Sequence, residues 1–417
     1  MKKILFILLL VCLLFGFSYG QSIEGNIEVY LNEIIESLPG SNGNDYQVPT
    51  DAQLNSWGNL MNAIFDGNIE SANGFAALLN YQIIDFLDTT LTSNNRFYVI
   101  KEKSSQIHYW GIYVINTNPL RSSLVIQAPH PVYDLYTGNQ AVFCFKRMLP
   151  KAVFISGTHR CNNSEYSECS GTTTACGSNA PYRVSDNAHN ANSIFQKSTE
   201  LFFKKFNNTV FVQLHGFAQG SGDPDLIMSN GTRITPDIDY LSMIRDAFFQ
   251  DDPSLTFKLV NIDLNWTKLT ALENTQGRLI NNSSDPCYEN ASSCNGRFVH
   301  IEQERTKFRS DSTGWYKMYS ALKTVFKIDT IITKIQTYPD DCEVRILPNP
   351  SNGYFQIDLK RNSKVVIYNC MGAIIYSRNI AESHRLLIDL RNHPAGMYYM
   401  QISQGDKLSS SKIMIIK

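Results

Sequence analysis

Apolar and polar positions along the chain follow three successive patterns, which divide it into three regions. From residue 22 to about 95, apolar residues recur at near-helical spacing, as in IEGNIEVYLNEIIESL before the Pro39-Gly40 stop. From about residue 97, strand-like runs are interleaved with helical segments, and from residue 343 short alternating strands are separated by Gly, Asn and Pro turns. We therefore expect a mainly helical region at 21–96, an α/β domain at 97–335 and an all-β domain at 343–417.

The middle region alternates strand and helix in the manner of a layered α/β fold. RFYVIKE and HYWGIYVIN have the pattern of a hairpin, and five further strand candidates follow: SLVIQAPH, KAVFISGTH, NTVFVQLHG, FKLVNIDL and RFVHIEQE. Helical patterns such as ANSIFQKSTELFFKKF and PDIDYLSMIRDAFFQ lie between them. This order predicts a mixed, mostly parallel sheet with helices on both faces, in which ligands bind at the carboxyl ends of the strands.

The first 20 residues have the order of a secretory signal peptide. Lys2 and Lys3 precede the apolar run ILFILLLVCLLFGF, and the small-residue segment SYG follows it. No other apolar run approaches the roughly 20 residues needed to span a bilayer. We expect a soluble, exported protein without a transmembrane segment.

The net charge narrows the range of partners, and the cysteine content indicates whether disulfides form. The formal net charge is −1, and removal of the leader lysines makes the balance slightly more acidic, so no basic excess of the kind found in nucleic-acid binders is present. Eight of the nine cysteines lie outside the leader. In an exported chain they are expected to form disulfides, and local pairs within CNNSEYSECSGTTTAC or between Cys287 and Cys294 are plausible on spacing.

Four of the predicted strands end on residues that can bind a metal or transfer a proton: His130, His159, His215 and Glu302. A single histidine at a strand end is more often structural than functional. Four such residues at the same edge of adjacent strands would be gathered into one crevice, which favours a functional site.

The residue types fit a zinc site. Catalytic zinc commonly has three nitrogen or oxygen protein ligands and keeps a fourth position for water. We expect His130, Asp134 and His215 to bind one zinc ion, with Glu302 left as general base toward the water. Two alternatives stay open, since His159 could replace Asp134 as ligand and Asp134 could instead cap a turn or the helix that follows.

Arginines near these positions are candidates for binding a substrate carboxylate. The guanidinium group matches a carboxylate through two parallel hydrogen bonds. The candidates are Arg160 in GTHRC, Arg183 in YRVSDNAHN and Arg278 in NTQGRLIN. For each of them a structural ion pair is about equally compatible with the sequence.

The segments APHP, VFVQLHGF and FVHIEQERTKFR resemble the N-formylglutamate amidohydrolase family, within the wider group of zinc-carboxypeptidase-like hydrolases. The resemblance covers roughly residues 120–325 and matches His130, His215, and Glu302 with Arg305. It implies a zinc-dependent hydrolase of amide bonds and adds Arg305 to the substrate-binding candidates. The sequence departs from the family around both histidines, in HPVYD and HGFA, and in the additional cysteine-rich loop at 161–176, so the family's substrate is not implied.

The C-terminal region resembles the sorting domain of the type IX secretion system of Bacteroidetes. The matching features are Pro348-Asn349-Pro350, Gly353, the pair Asp389-Leu390, Gly396 with Tyr398, and the segment 412–417. About seven short strands predict an immunoglobulin-like β-sandwich. The resemblance implies passage through the periplasm, interaction of residues 343–417 with the secretion machinery, and release or attachment at the cell surface.

The functional hypothesis is an exported zinc hydrolase of peptide or amino-acid amides. A non-catalytic binding or adhesion protein on the same fold is the main alternative, and metal-assisted cleavage of an ester or phosphate bond is a weaker one. A metal site with an adjacent carboxylate distinguishes the first hypothesis, because a binding module has no use for a general base beside a metal.

Overall fold

The computed structural model describes residues 21–92, 95–329, 346–359, 362–369, 372–382, 384–404 and 407–417. The chain divides into two compact units, the first ending at Asp329. The predicted signal peptide, and the stretch in which the predicted domains at 97–335 and 343–417 end and begin, lie outside the described residues. Within the described residues, no helix is long and apolar enough to cross a membrane.

Helices and strands of the first unit follow each other in an α/β order. Its described helices are α1 Ile27–Glu36, α2 Asp51–Phe65, α3 Ile69–Leu78, α4 Thr137–Met148, α5 Ile194–Lys205, α6 Tyr240–Asp251, α7 Thr275–Ile280, α8 Arg305–Phe308 and α9 Ser312–Val325. Its described strands are β1 Ser22–Gly25, β2 Tyr81–Asp88, β3 Asn95–Glu102, β4 Ile112–Asn116, β5 Arg121–Ala128, β6 Pro150–Ile155, β7 Thr172–Thr173, β8 Ala180–Pro181, β9 Val210–Gly216, β10 Leu226–Ser229, β11 Phe257–Leu259 and β12 Phe298–Gln303.

Ten of these strands form one mixed sheet in the order β1-β2-β3-β4-β6-β5-β9-β12-β10-β11. The four central strands β6, β5, β9 and β12 are parallel to one another. The antiparallel pairs are β2-β3, β3-β4, β4-β6 and β10-β12. The predicted mixed, mostly parallel sheet is confirmed, and its central strands carry their carboxyl ends to one edge.

Helices cover both faces of this sheet, because successive strand residues point to opposite sides. Val125 and Phe154 pack with α2 and α5 in one core, whereas their chain neighbours Ile126 and Val153 pack with α1 and α4 in the other. All four side chains are fully buried. The middle residues of the central strands are therefore apolar on both faces.

The region expected to be mainly helical contributes strands as well as helices. β1 and β2 lie in it; they pair with each other in parallel, and β2 joins the rest of the large sheet by antiparallel pairing with β3. In β2, YQIIDFLD, the adjacent apolar pairs Ile83-Ile84 and Phe86-Leu87 break the period-2 pattern, and the strand directly follows two helices. β10 was also not expected, since LIMS is too brief to give a period of its own.

The second unit is a two-sheet β structure. Its described strands are β13 Ile346–Leu347, β14 Tyr354–Leu359, β15 Ser363–Tyr368, β16 Ile374–Ile380, β17 His384–Asp389, β18 Gly396–Gln404 and β19 Lys407–Ile415. They form one sheet in the order β13-β14-β17 and another in the order β16-β15-β18-β19. An aliphatic core that includes Ile357, Val365, Ile388 and Met400 fills the interior. The predicted all-β sandwich is confirmed.

Two disulfides hold the cysteine-rich loop of the first unit. Cys161 pairs with Cys176 inside the loop, and Cys169 pairs with Cys287 across 118 positions of sequence. The spacing had suggested Cys287 with Cys294 as a local pair, whereas Cys294 carries a free thiol. Since Cys287 lies in the loop that follows α7, the second bridge ties together two loops that are distant in sequence.

Candidate metal centre and cavity

The carboxyl ends of β5, β9 and β12 bring the predicted site residues together. His130 follows β5, His215 lies in β9 and Glu302 lies in β12. His215 and Glu302 are register partners on neighbouring strands. His130, His215 and Glu302 are all more than 90 % buried. The sheet therefore sets their relative positions through its backbone ladder.

His130, Asp134 and His215 converge on one point. Asp134 Oδ2 lies 3.4 Å from His130 Nδ1 and 3.3 Å from His215 Nδ1. The backbone turn after β5, in which Asp134 N–H donates to the His130 carbonyl, sets the carboxylate beside the imidazole. The side chain does not cap α4, whose N-cap is Tyr136 without a side-chain hydrogen bond. The alternative role of Asp134 as a helix cap is therefore not the one observed.

The arrangement of His130 Nδ1, His215 Nδ1 and Asp134 Oδ2 suits a shared metal ion better than hydrogen bonds among the three side chains. His130 Nδ1 and Asp134 Oδ2 are buried and have no hydrogen-bond partner of ordinary geometry. Buried polar atoms are nearly always satisfied, so two such atoms side by side indicate something that both can bind. Ligand atoms bound to zinc at about 2.0–2.1 Å in a tetrahedron stand about 3.3–3.4 Å apart, which is the spacing found here.

Asp186 orients His130 from the other side of its ring. Asp186 Oδ1 lies 2.7 Å from His130 Nε2, so the imidazole donates its Nε2–H there and presents the Nδ1 lone pair to Asp134. Metal-binding histidines commonly donate their second nitrogen to a carboxylate in this way. Asp186 is itself bound by Arg160 Nε at 2.9 Å and by His189 Nδ1 at 3.0 Å.

Gln213 has the same role for His215. The two residues are neighbours on one face of β9, and His215 Nε2 lies 3.2 Å from Gln213 Oε1. Asn274 Nδ2 also donates to this oxygen, at 2.8 Å. His215 therefore carries its proton on Nε2 and leaves Nδ1 free toward Asp134.

Backbone carbonyls fix the orientation of the Gln213 amide. Thr199 Oγ1 donates to the Phe195 carbonyl at 3.0 Å and so accepts from Gln127 Nε2 at 2.8 Å. Gln127 Oε1 then accepts from Gln213 Nε2 at 2.9 Å. Each of these hydrogen bonds determines which group is donor and which is acceptor in the next one, because an amide nitrogen can only donate.

A second chain of hydrogen bonds gives the same orientation. Gln276 Nε2 donates to the Asn187 carbonyl at 2.8 Å, so its Oε1 is the acceptor for Gln213 Nε2 at 2.9 Å. Both routes place the oxygen of Gln213 toward His215. The nitrogen that His215 offers to a metal is thus decided by buried amides beneath the site.

Gly216 is required by a close approach. A Cβ at this position would lie 2.1–2.5 Å from the guanidinium of Arg309. Arg309 is buried and donates to the carbonyls of Leu135, Phe217 and Gln303. The small residue after His215 therefore admits an arginine that joins the loops after β5, β9 and β12.

Glu302 lies beside the proposed ligands with one oxygen unpaired. Glu302 Oε1 is 3.3 Å from His300 Nε2, and Oε2 is buried without a hydrogen-bond partner. The His300 ring in turn packs against the His215 ring with centroids 4.1 Å apart. A buried carboxylate oxygen with no donor is a suitable proton acceptor.

These residues border a cavity of about 500 Å³. His130, His215, His300 and Glu302 form part of its lining. Other lining residues come from three loops, namely Thr172, Thr173, Thr174, Asn179, Tyr182, His189, Thr267, Leu269, Thr270, Ala271, Leu272, Glu273 and Asn290. The volume suits one or two amino-acid residues of a substrate.

The four predicted arginines occupy different places. Arg160 lines this cavity, where it is paired with Asp186. Arg183 lines a second cavity of about 550 Å³ and donates to the Ser164 carbonyl. Arg278 is buried, with its guanidinium bound to protein oxygens, and Arg305 is exposed over the ring of Tyr136.

His159 does not join the cluster around Asp134. Its Nδ1 accepts a hydrogen bond from the Cys161 N–H at 3.0 Å. The residue lines the second cavity together with Tyr133. Three groups of described residues could hold a metal, and none of them contains His159: His130 with Asp134 and His215, His130 with Asp186 and His189, and His215 with His300 and Glu302.

Burial and neighbouring charges shift the pKa values of His130, His215 and Asp186. Burial and Arg160 oppose protonation of His130, but Asp186 and Asp134 outweigh them and raise its pKa. Burial, followed by the neighbouring His300, holds the pKa of His215 well below its ordinary value. Burial alone would raise the pKa of Asp186, yet Arg160 and the two histidines bring it well below the usual range.

Several residues of this site were not expected from the sequence: Asp186, Gln213, Asn274, Gln276 and His300. A signal existed for two of them. Gln213 and His300 precede His215 and Glu302 by two positions, in QLH and HIE, and residues two apart on a strand share a face. Asp186 and Gln276 lie in loop and short helix, where no such period exists.

The C-terminal part of the chain matches a known protein family. A family described as secretion system C-terminal sorting domain matches residues 345–417, which confirms the resemblance to the type IX sorting domain and indicates secretion or the cell surface. A search of curated protein sequences finds no match to this chain.

Solved structures give low-identity similarities. An N-formylglutamate amidohydrolase from Ralstonia eutropha JMP134 is 12 % identical, with 52 % of this chain and 96 % of that chain covered and a TM-score of 0.33. An aspartoacylase family protein from Mesorhizobium loti MAFF303099 is 9 % identical, covering 78 % and 95 %, with a TM-score of 0.29. A DUF3244 family protein from Bacteroides vulgatus ATCC 8482, with an immunoglobulin-like β-sandwich, is 17 % identical, covering 18 % and 87 %, with a TM-score of 0.17. The activity of this chain is therefore inferred from its own residues.

Proposed function

We propose that the first unit is an exported zinc-dependent hydrolase of amide bonds. The observation that carries this proposal is the pair of unpartnered buried atoms, His130 Nδ1 and Asp134 Oδ2, at tetrahedral spacing with His215 Nδ1. His130, Asp134 and His215 would hold one zinc ion, and a bound zinc supplies Lewis acidity and lowers the pKa of water. The sorting domain at 345–417 supports action outside the cell.

Glu302 supplies the proton transfer in this proposal. Its Oε2 has no donor among the described residues, whereas its Oε1 is held by His300 Nε2. In the reaction, Oε2 takes the proton of the attacking water as the C–O bond forms. The same proton then passes to the amide nitrogen as the C–N bond breaks, so Glu302 is regenerated.

Substrate binding by arginine remains part of the proposal. Arg160 borders the same cavity as Glu302, and a substrate carboxylate could share its guanidinium with Asp186. Arg183 and Arg305 would contact only a substrate that extends beyond this cavity, whereas the buried Arg278 guanidinium is already bound to protein oxygens.

Replacement of Glu302 by Gln separates the use of a metal from its binding. The variant keeps the side-chain shape and loses its basicity, so hydrolysis of a panel of N-acyl amino acids and dipeptide amides should fall at least about 100-fold. Zinc content, measured by mass spectrometry of the purified full chain, should stay at one per chain.

Glu304→Gln is the matched control. Glu304 lies two residues further on, but its carboxylate caps α8 by accepting from the Thr306 and Lys307 N–H groups. Its variant should hydrolyse the panel at the normal rate. Loss of activity in this variant but not in Glu302→Gln would move the base to Glu304, and normal activity in both would contradict the mechanism.

The export part has its own test. Deletion of residues 343–417, which contain the sorting domain, should leave the protein in the periplasm of the native host. Appearance of the truncated chain at the cell surface or in the medium would contradict the role of this domain in sorting. Whether the mature protein is released or stays attached can be read from the same fractions of the full-length strain.

A further inference from the structure

We propose that Glu273 and Tyr182 form a subsite for an ammonium group of the substrate. This proposal rests on the proposed hydrolysis only in so far as the ligand is a substrate; the binding itself can be measured without turnover. Glu273 lies in the loop before α7 and lines the same cavity as His130, His215 and Glu302.

The carboxylate of Glu273 is held in a defined position. Tyr182 Oη donates to Glu273 Oε2 at 2.6 Å. A Cβ on Gly171 would lie 2.3 Å from the same oxygen, so this position, with φ of +112°, has to be glycine. Burial and the bond to Glu273 raise the pKa of Tyr182, which keeps the phenol a donor and Glu273 the acceptor.

The same contacts connect Glu273 to the metal centre. The Tyr182 ring stacks on His189 with centroids 3.8 Å apart, and His189 is bonded to Asp186 beneath His130. The next residue after Glu273 is Asn274, which donates to Gln213 beneath His215. The distance between Glu273 and the proposed ligands is therefore fixed by packed side chains on two routes.

The carboxylate of Glu273 forms no ion pair with a described residue, and the charge of Arg278 acts on it only at longer range. Glu273 Oε1 has no hydrogen-bond partner among the described residues. Arg160 is the only Lys or Arg among the described lining residues, and its Nε and Nη2 are directed to Asp186. Glu273 therefore offers the cavity a carboxylate that has one free oxygen and no ion-pair partner among the described residues.

A carboxylate with one free oxygen at a cavity wall is complementary to an ammonium group. Thr172, Thr174 and Asn179 also border the cavity and supply neutral oxygens of the kind that an ammonium can use. The ammonium could be the α-amino group of a peptide or the side chain of a lysine-like residue. Both have the same charge and donor geometry, so the experiment has to distinguish them.

Binding is measured by calorimetry on the full chain carrying Glu302→Gln, which prevents turnover. One pair of probes is Nα-acetyl-lysinamide and Nα-acetyl-norleucinamide, which differ in the side-chain ammonium. The other pair is alaninamide and N-acetyl-alaninamide, which differ in the α-ammonium. The ammonium member of one pair should bind roughly 10-fold more tightly than its neutral partner, as expected for a hydrogen bond to a charged group.

Glu273→Gln, added to the same background, should abolish this preference, because Gln still accepts from Tyr182 but carries no charge. Glu289→Gln serves as control, since Glu289 is exposed and does not border the cavity. Equal affinity within both pairs, a preference that survives Glu273→Gln, or no binding of either ammonium probe at millimolar concentration would overturn the subsite. Zinc content and hydrolysis are measured separately, so an inactive protein that keeps the ammonium preference would count against the hydrolase alone.

Discussion

Two buried carboxylates near strand ends, Asp88 and Asp134, show how a structural group differs from a ligand. Asp88 ends β2, and Asp134 lies in the turn that follows β5. Asp88 is fully buried, and its oxygens accept from the Ile27 N–H at 3.0 Å, the Thr90 N–H at 2.7 Å and the Thr90 hydroxyl at 2.6 Å. Asp134 is almost as buried, yet its Oδ2 faces two imidazoles at 3.3–3.4 Å with no hydrogen bond.

Asp88 and Asp134 differ in which groups bind their carboxylate oxygens. Around Asp88 the protein supplies every donor, and Lys146 lies 3.7 Å away to balance the charge. Around Asp134 the histidines are held by Asp186 and Gln213 so that both present lone pairs to the same point. Burying such an arrangement costs free energy unless a cation joins it. The comparison predicts that a bound metal stabilises the arrangement around Asp134, whereas the arrangement around Asp88 needs no metal.

The largest effect is expected from removing a proposed metal ligand. His130→Ala or Asp134→Ala should weaken zinc binding by more than about 100-fold, the upper end of what loss of an outer-shell partner costs. Asp88→Ala should leave zinc affinity unchanged. The measurement is competition against a chromophoric chelator of known affinity.

Zinc retention by Asp134→Ala alone would assign the third position to another residue, with Glu302, which is grouped with His215 and His300, the first to test. Retention by both His130→Ala and Asp134→Ala would remove the proposed site altogether.

A smaller effect is expected from Gln213→Met. This variant removes the oxygen that accepts the Nε2–H of His215, so the ring can turn and zinc affinity should fall by about 10- to 100-fold. Nitrogen chemical shifts of His215 in the zinc-free protein should show the proton on Nε2 in the parent and a mixture of tautomers in the variant.

Ser198→Ala is the control for Gln213→Met, because it removes a buried hydrogen bond, from the Trp57 indole, that lies outside the amide network. It should lower the free energy of unfolding by about 1–3 kcal/mol without changing zinc affinity. Equal loss of zinc affinity in both variants would show that Gln213 acts only through stability.

The smallest effect is expected from Asp88→Asn, and it should depend on pH. Burial alone would raise the pKa of Asp88, but the hydrogen bonds from Thr90 and Ile27 outweigh it and lower the pKa below 3.8. A lowered folded-state pKa means that the ionised group stabilises the fold above its unfolded pKa of about 3.9, and that this stabilisation is lost as the pH falls through the folded-state value.

At pH 7 Asp88→Asn should therefore cost about 1–3 kcal/mol in the free energy of unfolding. The difference should shrink as the pH falls below the unfolded value of about 3.9 and through the lower folded-state pKa. Urea unfolding of the zinc-free full chain at several pH values measures this, and a difference that does not change with pH in the acidic range would contradict the assigned pKa shift.

The sequence alone determined the fold class of this protein and identified its C-terminal sorting domain. Runs such as VFVQLHG and FVHIEQE predict strands with polar ends, because apolar side chains must be buried on both faces of a parallel sheet. The turn-rich pattern from residue 343 predicts a β-sandwich that resembles a sorting domain, and both the β-sandwich and the sorting domain are confirmed. The same strand ends indicated His130, His215 and Glu302 as neighbours, and the structure places them together.

Only the tertiary structure decided how these residues are held and what lines the cavity. Asp186, Gln276 and Glu273 come from loops or a short helix, and their contacts with the site join positions that are far apart in sequence. Disulfide pairing also depended on the tertiary structure, since Cys169 is bonded to Cys287 rather than to a cysteine close to it in sequence. A strand's period places a side chain on a face through local geometry, whereas a hydrogen bond between two loops depends on where the whole chain has folded.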